Sequence, residues 1–440
     1  MIALNLLYLL VGMTALPWVL WRRLSGKRPV AALRERLTGR VHVADCPKDH
    51  CRIWLHGVSV GEVQLIRTLV NELENQAGLK NQPIDCVISS STTTGLELAT
   101  KAREQDHVFP CPLDFSWAIK QTFNRVQPDV LVLAELEIWP NLLRIAEDYK
   151  IPVVVVNGRM SERSHQGYKR LGRIAALMVQ RISLVLSRSQ EDSDRFTDLG
   201  APRVETIGSL KFDGIHCHEH NDEIQQLRNI TGIDREDLVF IAGSTQEPEE
   251  SLAVETFLQQ QKVHPGLKLI LVPRHIERTR EIATWLTLRL QQPDACHIPW
   301  YSRTKLTDQA SQLSEKSFIL LVDVTGELAA WWGLATVAFV GGSLDGLRGG
   351  QNMLEPAAYG AAVCFGPYTR NFRAEVSELL QAEAAVVVHD GVELTRFVTQ
   401  CLIDPVYSRK IGTYAQKLIE KKQGGTKLTA SRILDFLPVI

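Results

Sequence analysis

The sequence predicts an α/β protein of two successive doubly wound domains, each a parallel sheet covered by helices on both faces. Three observations predict it. From residue 51, short apolar runs alternate with amphipathic helical patterns, the signature of βαβ units. A polar, patternless stretch from about Asp213 to Asp237 interrupts that alternation. The alternation then restarts in a second half of similar size. A chain of 440 residues is also too long for one compact core, so two domains are the expectation. Two such sheets facing each other form a cleft, and open parallel sheets bind ligands at the carboxyl ends of their strands.

Residues 2–21 carry no charge. A helix of about 20 residues spans roughly the 30 Å hydrocarbon core of a bilayer. Tyr8, Trp18 and Trp21 suit its interfaces, and Arg22, Arg23, Lys27, Arg28, Arg34, Arg36 and Arg40 follow it. That basic excess predicts that the following domain stays cytoplasmic, and the bulky Trp and Leu that close the run predict an uncleaved anchor, either crossing the bilayer or buried in one leaflet. The expected division is an anchor at 1–22, an N-terminal domain at 23–213, a linker at 214–237 and a C-terminal domain at 238–440, whose last helix is able to pack back on the first domain.

In the first domain the apolar runs predict strands at Arg52–Val58, Ile84–Ser90, Asp129–Ala134, Ile151–Asn157, Ser183–Ser187 and Val204–Ile207. Helical patterns between them include Glu62–Leu73, Thr93–Arg103 and Trp139–Asp148. In the second domain, strands are predicted at Leu238–Ala242, Lys268–Val272, Phe318–Val322, Thr336–Val340, Ala362–Phe365 and Ala385–Val388, with a largely helical end from Val406 to Leu437.

Composition excludes several classes. A net charge of −1 argues against a whole-protein nucleic-acid binder. Eight scattered Cys without a CxxC pair describe a reducing compartment and no disulfide framework. The run His216-Cys217-His218 with His220 has no matched second pair, so it reads as linker and no metal site is predicted.

Chemistry is expected where strands end. After the first strand, Ser59-Val60-Gly61-Glu62 opens a helix. A carboxylate on a helix N-terminus is stabilised as the anion and is available as a proton acceptor; the same position equally suits a helix cap. The apolar strand Val130-Leu131-Val132-Leu133 runs into Glu135 and Glu137, and Trp139-Pro140 then starts a helix. Asn157-Gly158-Arg159-Met160-Ser161-Glu162-Arg163 begins a basic face that continues through Lys169, Arg170 and Arg173. Arg forks match phosphate oxygens, although a solvated charged face has the same pattern. Lys211 stands directly before the linker.

In the second half, Gly243-Ser244-Thr245, Pro273-Arg274-His275, Thr325-Gly326-Glu327, Gly341-Gly342 and Gly366-Pro367 follow successive strands. The run Val340–Pro356 carries two glycine pairs before Asn352-Met353-Leu354-Glu355-Pro356. Strand, glycine loop and helix start let a backbone approach a phosphate. Arg274 and the helix start at Asn352 are candidates for a phosphate, and Glu327 and Glu355 for ribose hydroxyls.

Together these stretches resemble the bacterial 3-deoxy-D-manno-octulosonic acid (Kdo) transferases of lipopolysaccharide synthesis. The pieces that carry the resemblance are His56–Glu62, Glu137–Asn141, Asn157–Ser161, Leu210–Asp213, Val272–His275, Gly326–Leu328 and Asn352–Pro356. They recur in the family's order over almost the whole chain. The resemblance implies a GT-B fold of two Rossmann-like domains, acceptor side first and nucleotide side second. It implies CMP-Kdo as donor, the tetra-acylated lipid A precursor as acceptor, inversion at the anomeric carbon, and no metal or other cofactor. It also implies attachment to the bacterial inner membrane with the catalytic domains on its cytoplasmic face.

Residue by residue, the family's proton acceptor falls on Glu62 and its transition-state stabilisers on Glu137 and Lys211. Its CMP contacts fall on Pro273, Arg274, Thr325, Gly326, Glu327, Asn352, Met353, Leu354 and Glu355. Arg159 and Arg163 are expected to meet the phosphates of the acceptor. The chain departs from the family's pattern at two places, where Gln246 and Gln351 stand for the usual His. An amide makes hydrogen bonds but carries no proton at neutral pH.

Overall fold

The computed structural model describes residues 2, 4–10, 13–14, 32–101, 103, 105–215, 221–295, 297–306, 313 and 315–438. The chain forms two compact units, Met1–Gly214 with Lys422–Ile440, and Ile215–Lys421. Each is built on one seven-stranded sheet.

The first sheet contains β1 (Cys51–Gly57), β2 (Ile84–Ser90), β3 (Val108–Pro110), β4 (Val130–Ala134), β5 (Val153–Gly158), β6 (Leu184–Ser187) and β7 (Val204–Thr206). Its order is β3-β2-β1-β4-β5-β6-β7, and every neighbouring pair is parallel. The chain runs outward from β1 to β2 and β3, then returns to β4 on the other side of β1. That reversal opens a crevice at the carboxyl ends of β1 and β4. Alternate residues of β1 enter opposite cores. Trp54 packs with Phe109, Phe123 and Leu131, while Ile53 and Leu55 pack with Ile66 and Leu69 of the helix Val60–Leu79. Truncating a fully buried Leu such as Leu69 to Ala costs about 2–5 kcal/mol.

The second sheet contains β8 (Val239–Thr245), β9 (Lys268–Pro273), β10 (Trp300–Ser302), β11 (Ile319–Leu321), β12 (Val337–Val340), β13 (Ala362–Phe365) and β14 (Val386–Val387). Its order is β10-β11-β9-β8-β12-β13-β14, again all parallel. Here the reversal falls between β8 and β12.

Two sequence expectations need amendment. β3 and β10 are absent from the predicted strands: each has three residues and only one sheet neighbour, too little for an apolar run. The stretch read as a linker at 214–237 contains a helix, Asn221–Thr231. Its apolar residues are few, but Ile224, Leu227 and Ile230 recur every three positions and so share one face; Leu227 and Ile230 are buried. The chain's last helix, Gly425–Leu434, belongs to the first unit. Asp213 caps it, accepting from Gly424 N at 2.5 Å and Thr426 N at 2.6 Å.

Residues 15–31, with Trp18, Trp21 and much of the basic flank, lie outside the described residues, as does the run His216–His220. Among the described residues no helix is long and apolar enough to cross a membrane. The described part of the N-terminal segment is tied to the first unit: Asn5 Nδ2 donates to Ser116 Oγ (2.7 Å) and the Tyr8 hydroxyl to Asp114 Oδ2 (2.9 Å).

Candidate active site

At the carboxyl end of β1 the chain turns into the helix Val60–Leu79. Ser59 is its N-cap and accepts from Glu62 N at 3.3 Å. Glu62 reaches back, with Oε2 accepting from Val58 N (2.8 Å) and Oε1 from the Ser59 hydroxyl (2.7 Å). This is a variant of the capping box, with the carboxylate reaching the N–H one residue before the N-cap. Of the two readings of the sequence at Glu62, the cap is thus present in the structure. A carboxylate oxygen has two lone pairs, so both oxygens keep acceptor capacity, and Glu62 is only half-buried.

Across the crevice, β4 ends at Ala134. Glu135 has φ +57°, a left-handed conformation uncommon for a residue with a side chain. The strand therefore does not continue in extended form, as a shared face for Glu135 and Glu137 would require; the chain turns. Glu135 N still donates to Val156 O (2.9 Å). Burial holds the Glu135 carboxyl above the usual carboxylate range, and the charge of Glu62 adds to it; Lys211, Arg159 and Arg188 oppose the shift. Burial likewise raises Glu137, against a hydrogen bond from Trp139 Nε1 (2.8 Å) and with help from Glu62 and Glu135. The structure thus brings Glu62, Glu135, Glu137, Lys211 and Arg159 into one electrostatic cluster. Arg163 is exposed on the helix Glu162–Leu171, which Ser161 caps by accepting from Ser164 N (3.1 Å). Glu135, a candidate from its strand-end position alone, has no role in the family resemblance. Its place directly after an apolar strand was the available signal.

Two supports hold this cluster. Lys211 lies in a single helical turn, Leu210–Phe212, whose Leu210 and Phe212 are buried. Asn157 Oδ1 accepts from Leu210 N (3.2 Å) and so fixes that turn beside β5. The helix Pro140–Asp148 has no cap from Trp139. Asp114 supplies it, accepting from Asn141 N (3.1 Å) and Leu142 N (2.9 Å). Near the end of β1 His56 is fully buried, with Nδ1 at 2.9 Å from Ser89 Oγ and no partner at Nε2.

In the second unit the sheet order sets Glu327, Arg274, Gln246 and the loop after β12 side by side, because β11, β9, β8 and β12 are neighbours. Arg274 is exposed, and its backbone N–H donates to Thr245 O (3.0 Å). Glu327 is engaged by Arg303, whose Nε and Nη2 each donate at 2.9 Å; Thr325 and Gly326 beside it are exposed. Asn352 Nδ2 donates to Glu355 Oε1 (2.9 Å), and Asn352 Oδ1 accepts from Leu354 N (3.2 Å). Met353 and Leu354 are fully buried, so only their backbone is available to a ligand.

The glycine loop differs from its expected use. Glu249, 2% exposed, takes its N–H groups. Oε2 accepts from Gln246 N (2.9 Å) and Gly342 N (2.7 Å), and Oε1 from Ser343 N (3.0 Å) and Leu344 N (3.2 Å). A Cβ on Gly341 would stand 2.5 Å from that carboxylate, so Gly341 serves this approach and not that of a phosphate. The helix start at Asn352 is also weaker than expected, since Leu354–Ala358 has five residues. Gln246 and Gln351 both approach Gly342: the amide nitrogen of each lies 3.3 Å from where a Gly342 Cβ would be.

This geometry has relatives. A family model described as 3-deoxy-D-manno-octulosonic-acid transferase (kdotransferase) matches residues 31–214. The 3-deoxy-D-manno-octulosonic acid transferase of Haemophilus influenzae is 30% identical over 94% of this chain and 93% of its own length. The chain belongs to the Kdo transferase family. It is accordingly a glycosyltransferase, and the other relatives agree. The Kdo transferase of Aquifex aeolicus is 28% identical over 84% of this chain and 94% of its own length. A bifunctional glycosyltransferase/methyltransferase of Fusobacterium nucleatum is 33% identical over 80% of this chain, but the match covers 52% of that protein, about half its length. Among solved structures, a UDP-GlcNAc 2-epimerase from Neisseria meningitidis aligns with TM-score 0.55 over 88% of this chain and 99% of that chain, at 11% identity. At that identity it supports the GT-B-type pair of parallel α/β domains and nothing about chemistry.

Proposed function

We propose that the chain transfers Kdo from CMP-Kdo to the tetra-acylated lipid A precursor with inversion at the anomeric carbon, releasing CMP. The observation that carries this reading is the cluster of Glu62, Glu135 and Glu137 with Lys211 and Arg159 at the carboxyl ends of β1 and β4, in a chain of the Kdo transferase family. An acceptor hydroxyl is a weak nucleophile and needs a base in hydrogen-bond reach. Glu62 is that base, aimed by Ser59 and Val58. As the acceptor oxygen bonds to the anomeric carbon, its proton passes to Glu62. The bond from that carbon to the CMP phosphate oxygen breaks, and its electron pair leaves with CMP.

Glu137 and Lys211 stabilise the charge that develops during transfer. On the donor side Pro273, Arg274, Thr325, Gly326, Glu327 and Asn352 to Glu355 hold the nucleotide, with Arg274 on the phosphate. Arg159 and Arg163 meet the phosphates of the acceptor. The N-terminal segment attaches the chain to the bacterial inner membrane, with catalysis on the cytoplasmic face. The test is mass spectrometry of the lipid made by the full chain from CMP-Kdo and the lipid A precursor. A lipid heavier by whole Kdo units, with CMP released, is expected. No such product, with a UDP-sugar accepted in its place, would overturn the donor.

A further inference from the structure

The carboxyl end of β8 holds two buried polar atoms that the nucleotide contacts leave unexplained. Gln246 is 3% exposed, and its Oε1 has no hydrogen-bond partner; neither has Oγ1 of fully buried Thr245. An unsatisfied buried polar atom is costly, and a ligand is one way to satisfy it. Both lie just after an irregularity in the β8–β9 register, where Ser244 has φ +54°; such bulges re-aim side chains at sites. Gln351 arrives from the loop after β12, so two amides converge on the space that a Gly342 Cβ would fill. This is the point of chain reversal in the second sheet.

The charge of the place selects the ligand. The N–H groups of Gly342, Ser343 and Leu344 already bind the buried Glu249 carboxylate. No cradle for a second anion remains there, and the carboxylate behind the loop repels one. Two amides and a hydroxyl offer neutral donors and acceptors together, which matches sugar hydroxyls. The phosphate has Arg274 on the neighbouring strand.

We propose that Gln246 and Gln351 form a subsite for the hydroxyl groups of the donor's sugar, separate from the nucleotide contacts, and so help to choose which sugar is transferred. This rests on the donor reading given above.

The test compares Gln246→Leu and Gln351→Ala with wild type in the full chain, measuring the KM for CMP-Kdo and the inhibition constant of CMP. Each variant should raise the KM about 10-fold, the worth of one or two hydrogen bonds, and leave CMP inhibition within about twofold. Leu at 246 removes an unpartnered buried oxygen, so the melting temperature should not fall. Gln351 is half-buried, and its variant gives the reading independently of that core position. An unchanged KM in both variants, or CMP inhibition that weakens in step with KM, would overturn the subsite. Wild-type protein that transfers nothing from CMP-Kdo would instead overturn the donor reading, and the subsite with it.

Discussion

The two sheets place a glutamate at corresponding points and use it in opposite ways. β1 and β8 are the strands at which their sheets reverse, and each leads into a helix with a carboxylate near its start, Glu62 and Glu249. Glu62 accepts two hydrogen bonds, both from its own turn, and stays half-buried. Glu249 accepts four backbone N–H groups, three of them from a loop more than ninety residues away, and is sealed. The difference is one of residual valence. A carboxylate with vacant lone pairs near solvent can take a proton from a substrate. One whose lone pairs are filled by its own backbone shapes a loop.

Exchanging charge for neutrality at each position breaks that comparison most directly. Glu62→Gln keeps the cap, since Gln serves in a capping box, but it cannot take a proton. Transfer should fall by roughly 10²–10⁴-fold in kcat, with the urea midpoint of unfolding nearly unchanged. Activity close to wild type would remove Glu62 from its role as the base.

Glu249→Gln should behave inversely. The amide keeps one acceptor oxygen and turns an NH2 group towards backbone N–H donors that have no other partner. A loss of about 2–4 kcal/mol in unfolding free energy is expected, read as a lower urea midpoint. The catalytic step itself should be less affected than in Glu62→Gln. A variant as stable as wild type would show that the glycine loop does not depend on this carboxylate.

What the sequence disclosed follows the same division between local and distant partners. The parallel strands were legible because β1, β4 and β12 are buried along their whole length; β4 and β12 read as uninterrupted apolar runs, and β1 carries an apolar stretch between Arg52 and His56. Glu62 was legible because its partners are three and four residues away. Glu249 was not, because its function is set by Gly342, Ser343 and Leu344. Asp213 stood out only as the start of the polar stretch and beside Lys211; its role as the cap of the last helix joins residues 211 and 213 positions apart in the chain. The turn at Glu135 was hidden too, since no glycine or proline marks its left-handed backbone.

Acid sharpens the contrast by a smaller amount. His56 is the penultimate residue of β1, where β8 has the non-titrating Ser244. Burial pushes the His56 imidazole down to about 4. Its folded pKa is below the unfolded value, so the stability it contributes is present above about pH 6.5 and is lost as pH falls through about 4. Between pH 7 and pH 5 this amounts to about 2 kcal/mol. Asp114, pushed up to about 6 by burial, acts in the other sense: its contribution is greatest at low pH and declines as pH rises through about 6. Comparing wild type with His56→Gln by urea unfolding at both pH values separates the two, since Asp114 is common to both proteins. The wild type should lose about 2 kcal/mol more than the variant on going to pH 5. Equal losses would mean that His56 is protonated in the folded protein.

The smallest effect tests whether the first site extends outward to the acceptor. Arg159 acts on the buried carboxylate cluster, whereas Arg163 lies exposed beyond it. Lys169 on the same helix is held by Asp198 at 2.8 Å. A phosphate-bearing acceptor should therefore feel Arg163 more than Lys169. Arg163→Glu should raise the acceptor KM by about 3–10-fold at low salt and leave the KM for CMP-Kdo alone. An exposed charge pair is worth about 1 kcal/mol or less, and its field is screened within about 8 Å at physiological ionic strength, so the effect should shrink in 0.5 M salt. Arg159→Glu should differ in kind. It adds a negative charge beside Glu135 and Glu62, so it should lower kcat as well, and salt should restore less of the loss because that charge acts on a buried group. If Arg163→Glu changed both Michaelis constants equally, the basic face would be a solvated surface, and the acceptor's phosphates would have to be met elsewhere.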